Sequence, residues 1–108
     1  MEQLELEKLK ENAGKAAALL KSMSHSGRLM LLCHLMDGEC SVGKLNEAVP
    51  LSQSALSQHL ASLRRADLVD TRRDSQIIYY RLKSQAVADI LQSLYQIYCK
   101  PNKKEEGK

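Results

Sequence analysis

Apolar residues recur at helical spacing in five segments of the chain and alternate with polar residues in one. The first segment contains a seam of apolar positions three or four residues apart: Leu6, Leu9, Ala13, Ala16, Leu20 and Met23. This spacing predicts a first amphipathic helix. Shorter helices are predicted at residues 28–36, at 42–48 and from residue 53 onward, and a last helix follows Ser84.

Capping and breaking residues separate these helices. Residues able to accept a hydrogen bond from a first helical turn precede four of them, at 24–26, Ser41, Ser52 and Ser84. Gly38 ends the second helix, and Pro50 ends the third because proline cannot continue the backbone hydrogen bonds. The short third helix, the tight turn after it and the fourth helix together predict a helix-turn-helix.

The stretch LVDTRRDSQIIYYRL changes to a loosely alternating pattern rich in β-branched and aromatic residues. With polar residues 73–76 at its middle, it predicts a two-stranded hairpin, the wing. The predicted fold is therefore mainly α with a β-hairpin wing: a winged helix-turn-helix of four helices, the hairpin and a fifth helix. Residues 1–99 are expected to form this one domain, and 100–108 are expected to be a disordered polar tail. Apolar faces on the first and last helices predict a homodimer through those helices.

Composition excludes some classes of protein but does not identify one. Sixteen Lys and Arg against thirteen Asp and Glu give a formal charge of +3, too small to indicate nucleic-acid binding by itself. The bias is local, because residues 64–81 hold five Arg against three Asp, which suits phosphate contacts. No signal peptide or membrane span is predicted, so a cytoplasmic location is expected. Three cysteines without a CxxC pair do not fit a disulfide scaffold.

The fourth helix carries the residues predicted to read DNA. Its apolar positions leave a polar outward face near the N-terminal end, made of Gln53, Ser54, Ser57 and Gln58. Glutamine can bond adenine at two points and serine can bond bases or phosphates, although an ordinary solvated helix face has a similar composition. Arg64 is also predicted to contact DNA. His59 borders the buried face, so a packed, hydrogen-bonded histidine and a phosphate contact both stay open.

Two arginines of the wing complete the predicted DNA surface. Arg72 and Arg73 can reach a phosphate or an adjacent minor groove, although a solvated hairpin tip would contain the same residues. Tyr79 and Tyr80 are predicted to pack within the protein rather than to stack on bases. The predicted partner is therefore double-stranded DNA.

The strings LLKSMSHSGRLMLLC, SQSALSQHLASLRRADLV, TRRDSQIIYY and LYQIYC resemble the winged-helix repressors of the ArsR/SmtB superfamily. The resemblance covers residues 10–99 and is strongest to the branch that contains HlyU, BigR and SqrR. It implies a homodimer that binds an imperfect palindromic operator and releases it when an inducer binds or reacts. It implies neither enzyme activity nor a cofactor.

Many members of this superfamily sense metals, but this sequence departs from both family metal motifs. The stretch CSVGKL has Ser41 and Gly43 where the third-helix motif has cysteines. Residues 84–99, which correspond to the second motif, contain Asp89 but no histidine. Serine is a poor ligand for zinc and glycine is none, so no metal site is predicted.

The resemblance instead implies a pair of sensor thiols. The branch uses one cysteine in the second helix and one just after the last helix, and Cys33 and Cys99 match those positions. Their reaction with low-molecular-weight persulfides or oxidants is expected to form a disulfide or polysulfide bridge that weakens DNA binding. From the residues alone, Cys33 could also be a small buried apolar residue, because Leu29, Leu32 and Met36 share its helical face.

Three other interpretations stay open from the sequence. A metal-responsive repressor could use Cys33, His34 and Cys40, although Cys40 is predicted to be an exposed, incidental thiol at the start of the third helix. A small thiol oxidoreductase is a different class, but the chain lacks a CxxC motif and an activating basic cluster. A dimerisation adaptor that does not bind DNA is disfavoured by the polar face of the fourth helix.

Overall fold

The computed structural model describes residues 2–99. In chain order its elements are α1 (Gln3–Met23), α2 (Ser26–Leu35), β1 (Cys40–Ser41), α3 (Val42–Ala48), α4 (Gln53–Arg65), β2 (Val69–Asp74), β3 (Ile77–Leu82) and α5 (Gln85–Tyr98). The predicted winged helix-turn-helix, with its five helices and its hairpin, is confirmed. The predicted tail at 100–108 lies outside the described residues.

Side-chain caps begin four of the helices. Ser41, Ser52 and Ser84 each accept a hydrogen bond from the backbone N–H three residues later, at 3.1–3.2 Å. These caps satisfy N–H groups that have no partner within the helix. At the start of α2 the cap is the imidazole of His25 rather than a serine hydroxyl, because its Nδ1 accepts from the N–H of Gly27 at 2.9 Å.

The sheet has one strand more than the sequence predicts. β3 pairs with β2 in the hairpin and, on its other edge, with β1, so the order is β1-β3-β2 and both pairings are antiparallel. Cys40 lies opposite Tyr80, and Ser41 lies opposite Tyr79. A two-residue strand is too short to produce an alternating pattern. Cys40 directly precedes the Ser41 cap of α3, at the predicted position, but it is half-buried in a strand, so the prediction that its thiol is exposed is wrong.

The core lies where α2, α3, α4 and α5 pack against the sheet. Its buried side chains are Met23, Leu31, Leu32, Leu35, Leu45, Val49, Leu56, Leu60, Leu63, Leu68, Val69, Val87 and Leu91. These buried side chains are leucines, valines and one methionine, and no polar or charged side chain of the described residues is buried. The core thus gives each helix one inward face and fixes which residues face solvent.

α1 contributes little to this core. Met23 is the buried residue of its 21, while Leu4, Leu6, Leu9 and Leu20 are 41–64% exposed. α5 likewise leaves Tyr95, Ile97 and Tyr98 exposed at its C-terminal end. Both helices therefore carry apolar side chains that their own protomer does not cover. No described helix is both long and apolar enough to cross a membrane.

Candidate nucleic-acid interface and dithiol site

A tight turn joins α3 to α4 and orients α4. Val49 is buried and anchors the turn, and the N–H of Leu51 donates to the Val49 carbonyl at 2.8 Å. On α4 itself, Leu56, Leu60 and Leu63 face the core and are at most 2% exposed. The opposite side of α4 therefore faces solvent over its whole length.

The solvent side of α4 carries the residues predicted to read DNA. Gln53, Ser54, Ser57 and Gln58 are all exposed. The Ser54 hydroxyl lies 3.4 Å from the hydroxyl of Ser52, which caps the helix. The first two turns of α4 thus present amides and hydroxyls, which can bond base edges and phosphates.

A shallow cleft of about 580 Å³ separates the C-terminal half of α4 from the wing. Arg64 and Arg65 line it from α4, and Ile78 and Tyr80 line it from β3. Arg65 donates to the Ser62 hydroxyl at 3.2 Å, and Arg64 is exposed. Positive charge therefore lies between the wing and α4, the recognition helix of the helix-turn-helix, where both could meet one backbone of a duplex.

The wing places its two arginines differently. Arg73 is exposed near the hairpin turn. Arg72 donates three hydrogen bonds to the Glu39 carboxylate at 2.7–2.9 Å, and its guanidinium lies 4.3 Å from the centre of the Tyr79 ring. Sequence reasoning missed Glu39, because the ion pair joins positions 33 residues apart and leaves no local pattern.

The Glu39–Arg72 ion pair determines what Arg72 can bind. The hydrogen bonds from Arg72 lower the pKa of the Glu39 carboxyl, and the same bonds raise the pKa of Arg72, so both groups stay charged. A guanidinium edge that holds a carboxylate at two points cannot hold a phosphate with the same N–H groups. Arg72 can therefore contact DNA through that edge only by exchanging Glu39 for a phosphate.

Replacing Glu39 by glutamine is expected to strengthen DNA binding and to steepen its salt dependence. A neutral amide holds the guanidinium less strongly than a carboxylate does, so Arg72 becomes available to a phosphate. The logarithm of the binding constant falls linearly with the logarithm of the salt concentration. The slope of this line should become more negative by about 0.9, the value for one additional phosphate contact. Fluorescence anisotropy with a labelled duplex at several salt concentrations measures that slope.

The matched control for Glu39→Gln is Asp67→Asn. It removes the same charge from an exposed ion pair, Asp67 with Lys83 at 2.7 Å. Asparagine also tolerates the positive φ of 66° at that position. Equal slopes for Glu39→Gln and Asp67→Asn would mean that Arg72 gains no phosphate contact.

His59 lies where α4 meets the start of α2. Its Nδ1 accepts a hydrogen bond from Arg28 Nε at 3.2 Å, and its ring centre lies 4.3 Å from that of His25. Partial burial, and then the neighbouring His25 and Arg28, lower the pKa of His59. The sequence leaves two alternatives open for His59. In the structure His59 is the packed, hydrogen-bonded histidine. A phosphate contact by His59 stays a prediction.

Cys33 and Cys99 line the same two clefts between α2 and α5, of about 460 and 220 Å³. Leu91 and Tyr95 of α5 line both clefts as well. Both thiols are exposed in the protomer, so the alternative that Cys33 is a buried apolar residue is wrong. Partial loss of hydration nevertheless raises the pKa of the Cys33 thiol, and the charge of an ionised Cys99 raises it further.

The third thiol and the exposed histidine do not join this pair. Burial raises the pKa of Cys40 in β1, with Lys44 acting in the opposite direction. His34 is exposed on α2. Within residues 2–99, no three His, Cys, Asp or Glu side chains lie close enough together to hold a metal ion. Cys33, His34 and Cys40 are therefore not assembled into the alternative metal set.

The helix-turn-helix, its solvent-facing polar helix and the antiparallel wing define a winged helix-turn-helix DNA-binding protein. Residues 25–71 match the family model described as bacterial regulatory protein, arsR family. This match runs from the cap of α2 through the recognition helix into β2.

Relatives and solved structures extend the similarity to most of the chain. The transcriptional activator HlyU of Vibrio cholerae is 46% identical over 99 residues, 92% of each chain. The biofilm growth-associated repressor of Xylella fastidiosa is 42% identical over 97 residues, 90% of this chain and 85% of that one. The structure of reduced HlyU from Vibrio cholerae superposes with a TM-score of 0.82 at 47% identity, covering 86% of this chain and 98% of that one. The repressor BigR from Xylella fastidiosa also gives 0.82, at 42% identity and 88% and 97% coverage.

The chain belongs to the arsR family of bacterial regulatory proteins. Members of this family are DNA-binding transcriptional regulators and typically dimers. They are not enzymes, which excludes the thiol oxidoreductase interpretation.

Proposed function

We propose that this protein is a homodimeric transcriptional repressor whose affinity for an imperfect palindromic operator is switched by the thiols of Cys33 and Cys99. The observation that carries the proposal is that both thiols are exposed and line the same clefts between α2 and α5. The names of its relatives include an activator and a repressor. We propose repression because a protein that occupies an operator excludes other proteins from it without a further partner.

The proposed dimer forms through α1 and α5. These helices expose the apolar side chains of Leu4, Leu6, Leu9, Leu20, Tyr95, Ile97 and Tyr98. Packing them against a second copy removes apolar surface from water, and a two-fold dimer uses the same patch on each chain. The two copies of α4 then lie at a fixed separation, which must match one turn of the duplex, about 34–36 Å.

The proposed DNA surface combines α4 and the wing. Gln53, Ser54, Ser57 and Gln58 enter the major groove and bond base edges or phosphates. Arg64 and Arg73 contact the phosphate backbone or the adjacent minor groove, and Arg72 joins them when it leaves Glu39. Their exposure on one helix and one hairpin supports this assignment.

Two reactions can bridge the thiols. Hydrogen peroxide takes two electrons and two protons from the pair, leaving a disulfide and two water molecules. A persulfide RSSH transfers its outer sulfur to one cysteine, which becomes Cys–SSH while RSH leaves. That group then joins the second thiol as another RSSH is reduced to RSH and hydrogen sulfide, and the product is a trisulfide bridge.

Bridge length distinguishes these inducers. A disulfide needs Cα atoms within roughly 7 Å, and each added S–S bond extends the reach by about 2 Å. The open cleft of about 460 Å³ leaves room for an inserted sulfur atom beside Cys33 and Cys99. The raised pKa of Cys33 keeps most of this thiol protonated at neutral pH, so its reaction should accelerate as the pH rises.

A bridge should weaken DNA binding because it connects a helix that supports α4 to a helix of the proposed dimer surface. α2 packs against α4, and α5 belongs to the proposed dimer surface. Tying α2 to α5 changes how the recognition helix sits relative to its copy in the second chain. Since both half-sites must be met together, a small rotation lowers operator affinity.

The decisive experiment treats reduced protein separately with glutathione persulfide, peroxide and zinc, and then determines intact and peptide masses. A crosslink of the Cys33 and Cys99 peptides that carries extra sulfur only after persulfide identifies sulfane sulfur as the inducer. A plain crosslink after peroxide identifies a general oxidant switch. Each product is then titrated against a labelled duplex selected by the protein from a randomised library. Unchanged affinity of the bridged protein, or retained zinc without a crosslink, would contradict the proposal.

A further inference from the structure

Two of the three histidines of the chain meet at the junction of α1, α2 and α4. Arg28, in the first turn of α2, joins the three helices. Its Nε donates to His59 of α4, and its Nη1 donates to the Ser22 carbonyl near the end of α1 at 3.0 Å. His25 closes the cluster by stacking at a tilt of 45° on His59 while it caps α2. A polar link therefore runs from α1 through α2 to the recognition helix.

We infer that Arg28 and His59 are positioning residues that hold α4 in its DNA-binding pose, and that they do so only while His59 is neutral. The reason is which atoms of Arg28 and His59 can donate or accept a hydrogen bond. A guanidinium has only donors, so its partner on the imidazole must be the lone pair of Nδ1. A proton on that nitrogen removes the acceptor and places a second positive charge against Arg28.

Among residues 2–99, no anion is among the groups that shift the pKa of His59, so that charge is not balanced. The charged or titratable groups that act on it are His25, which caps α2, and Arg28 of α2 itself. Among the described residues of the other elements packed against α4, α1 supplies the Ser22 carbonyl, and Asp70 of β2 is paired with Arg81. Partial burial and the two neighbouring groups lower the pKa of His59, so the neutral form dominates at pH 7.

Acidification is expected to weaken operator binding, which is opposite to the ordinary effect of added positive charge on DNA affinity. Acidification adds positive charge to the protein, which ordinarily strengthens attraction to phosphates. Loss of the Arg28–His59 bond should instead weaken operator binding as the pH falls from about 7.5 to about 5. Most of the fall should lie below about pH 6.5 because the pKa of His59 is lowered, and full protonation should cost about tenfold in affinity, the size expected for one hydrogen bond to a charged group. The inference needs DNA binding but not the thiol switch, so the two proposals can fail separately.

The test is an anisotropy titration of reduced protein across this pH range at constant ionic strength, with a labelled duplex that the protein selects from a randomised library. His59→Asn is the key variant, because the amide oxygen can replace Nδ1 as the acceptor and cannot be protonated. His59→Gln places its amide nearer the position of Nε2 and leaves Arg28 without that acceptor. His34→Gln changes an exposed histidine of α2 outside the cluster and serves as the matched control.

The wild-type protein and His34→Gln are expected to lose affinity on acidification. His59→Asn should bind at low pH at least as tightly as the wild-type protein does at high pH, and His59→Gln should bind about tenfold more weakly than His59→Asn at every pH. Wild-type affinity that rises on acidification would indicate a cationic phosphate contact by His59 and overturn the inference. A flat wild-type profile, or a fall that persists in His59→Asn, would overturn it as well. The wild-type profile requires no substitution, and circular dichroism at each pH establishes that the variants are folded.

Discussion

Replacing Cys33 by serine is expected to abolish the response to persulfides and oxidants while leaving the reduced protein able to bind its operator. The serine hydroxyl neither accepts a sulfur atom from a persulfide nor forms an S–S bond. Cys33 is exposed, so the substitution opens no cavity in the core. Operator affinity of the untreated variant should therefore stay within about twofold of the wild-type value, as for most surface substitutions.

Operator titrations before and after glutathione persulfide measure this response. Wild-type affinity should fall by about 5- to 150-fold, the ordinary range of coupling between two sites, and the affinity of Cys33→Ser should not fall. Cys99→Ser should behave in the same way, because one remaining thiol of the pair cannot form the bridge.

Cys40→Ser is the matched control for the thiol prediction. It removes the thiol in β1, which lies outside the clefts lined by Cys33 and Cys99. The full response should therefore be retained. A response that survives in Cys33→Ser but disappears in Cys40→Ser would assign sensing to the strand rather than to the α2–α5 clefts.

Gln58→Ala is expected to reduce discrimination between the selected operator and random-sequence DNA. Gln58 is exposed in the second turn of α4, and its amide can both donate and accept at an adenine. Loss of one such two-point contact costs about 1–3 kcal/mol against the preferred base pair, or about 5- to 150-fold in affinity. Binding to a random-sequence duplex depends on phosphate contacts and should change little.

Competition titrations with both duplexes measure the change in operator affinity separately from the change in affinity for random-sequence DNA. Gln96→Ala makes the same chemical change on the exposed, polar side of α5 and serves as the control. Equal losses on the operator and on random DNA would make Gln58 a phosphate contact. No loss on either would remove Gln58 from the residues that read the operator.

Local patterns predicted the parts of the fold that local chemistry determines. Ser41, Ser52 and Ser84 begin helices because each hydroxyl satisfies a backbone N–H three residues away. The leucines of α4 are buried because their spacing follows the helical repeat. β1 was missed because two residues carry no period, and its pairing with β3 depends on a strand that follows about 40 positions later.

The residues of the candidate site could be predicted from the sequence, but their exposure and their contacts could not. The helical spacing that puts Cys33 beside Leu29 also suggested burial, yet the clefts between α2 and α5 leave the thiol exposed. Arg72 was expected to be available to DNA, but Glu39 occupies its guanidinium. The environment of His59 depends on Arg28, 31 positions earlier in the chain. Each of these outcomes is set by contacts between distant segments, which a sequence pattern does not encode.

The exposed first helix has a consequence for how the regulator responds to its own abundance. Most of a helix's stability in a protein comes from tertiary packing, and α1 buries one side chain of its 21, so its order depends on whatever covers its apolar side. With a second copy as that cover, ordering of α1 and association become one equilibrium, and the melting temperature rises with protein concentration. Where single chains predominate, the amount of dimer follows the square of the chain concentration. A modest change in gene dosage would then be amplified in operator occupancy.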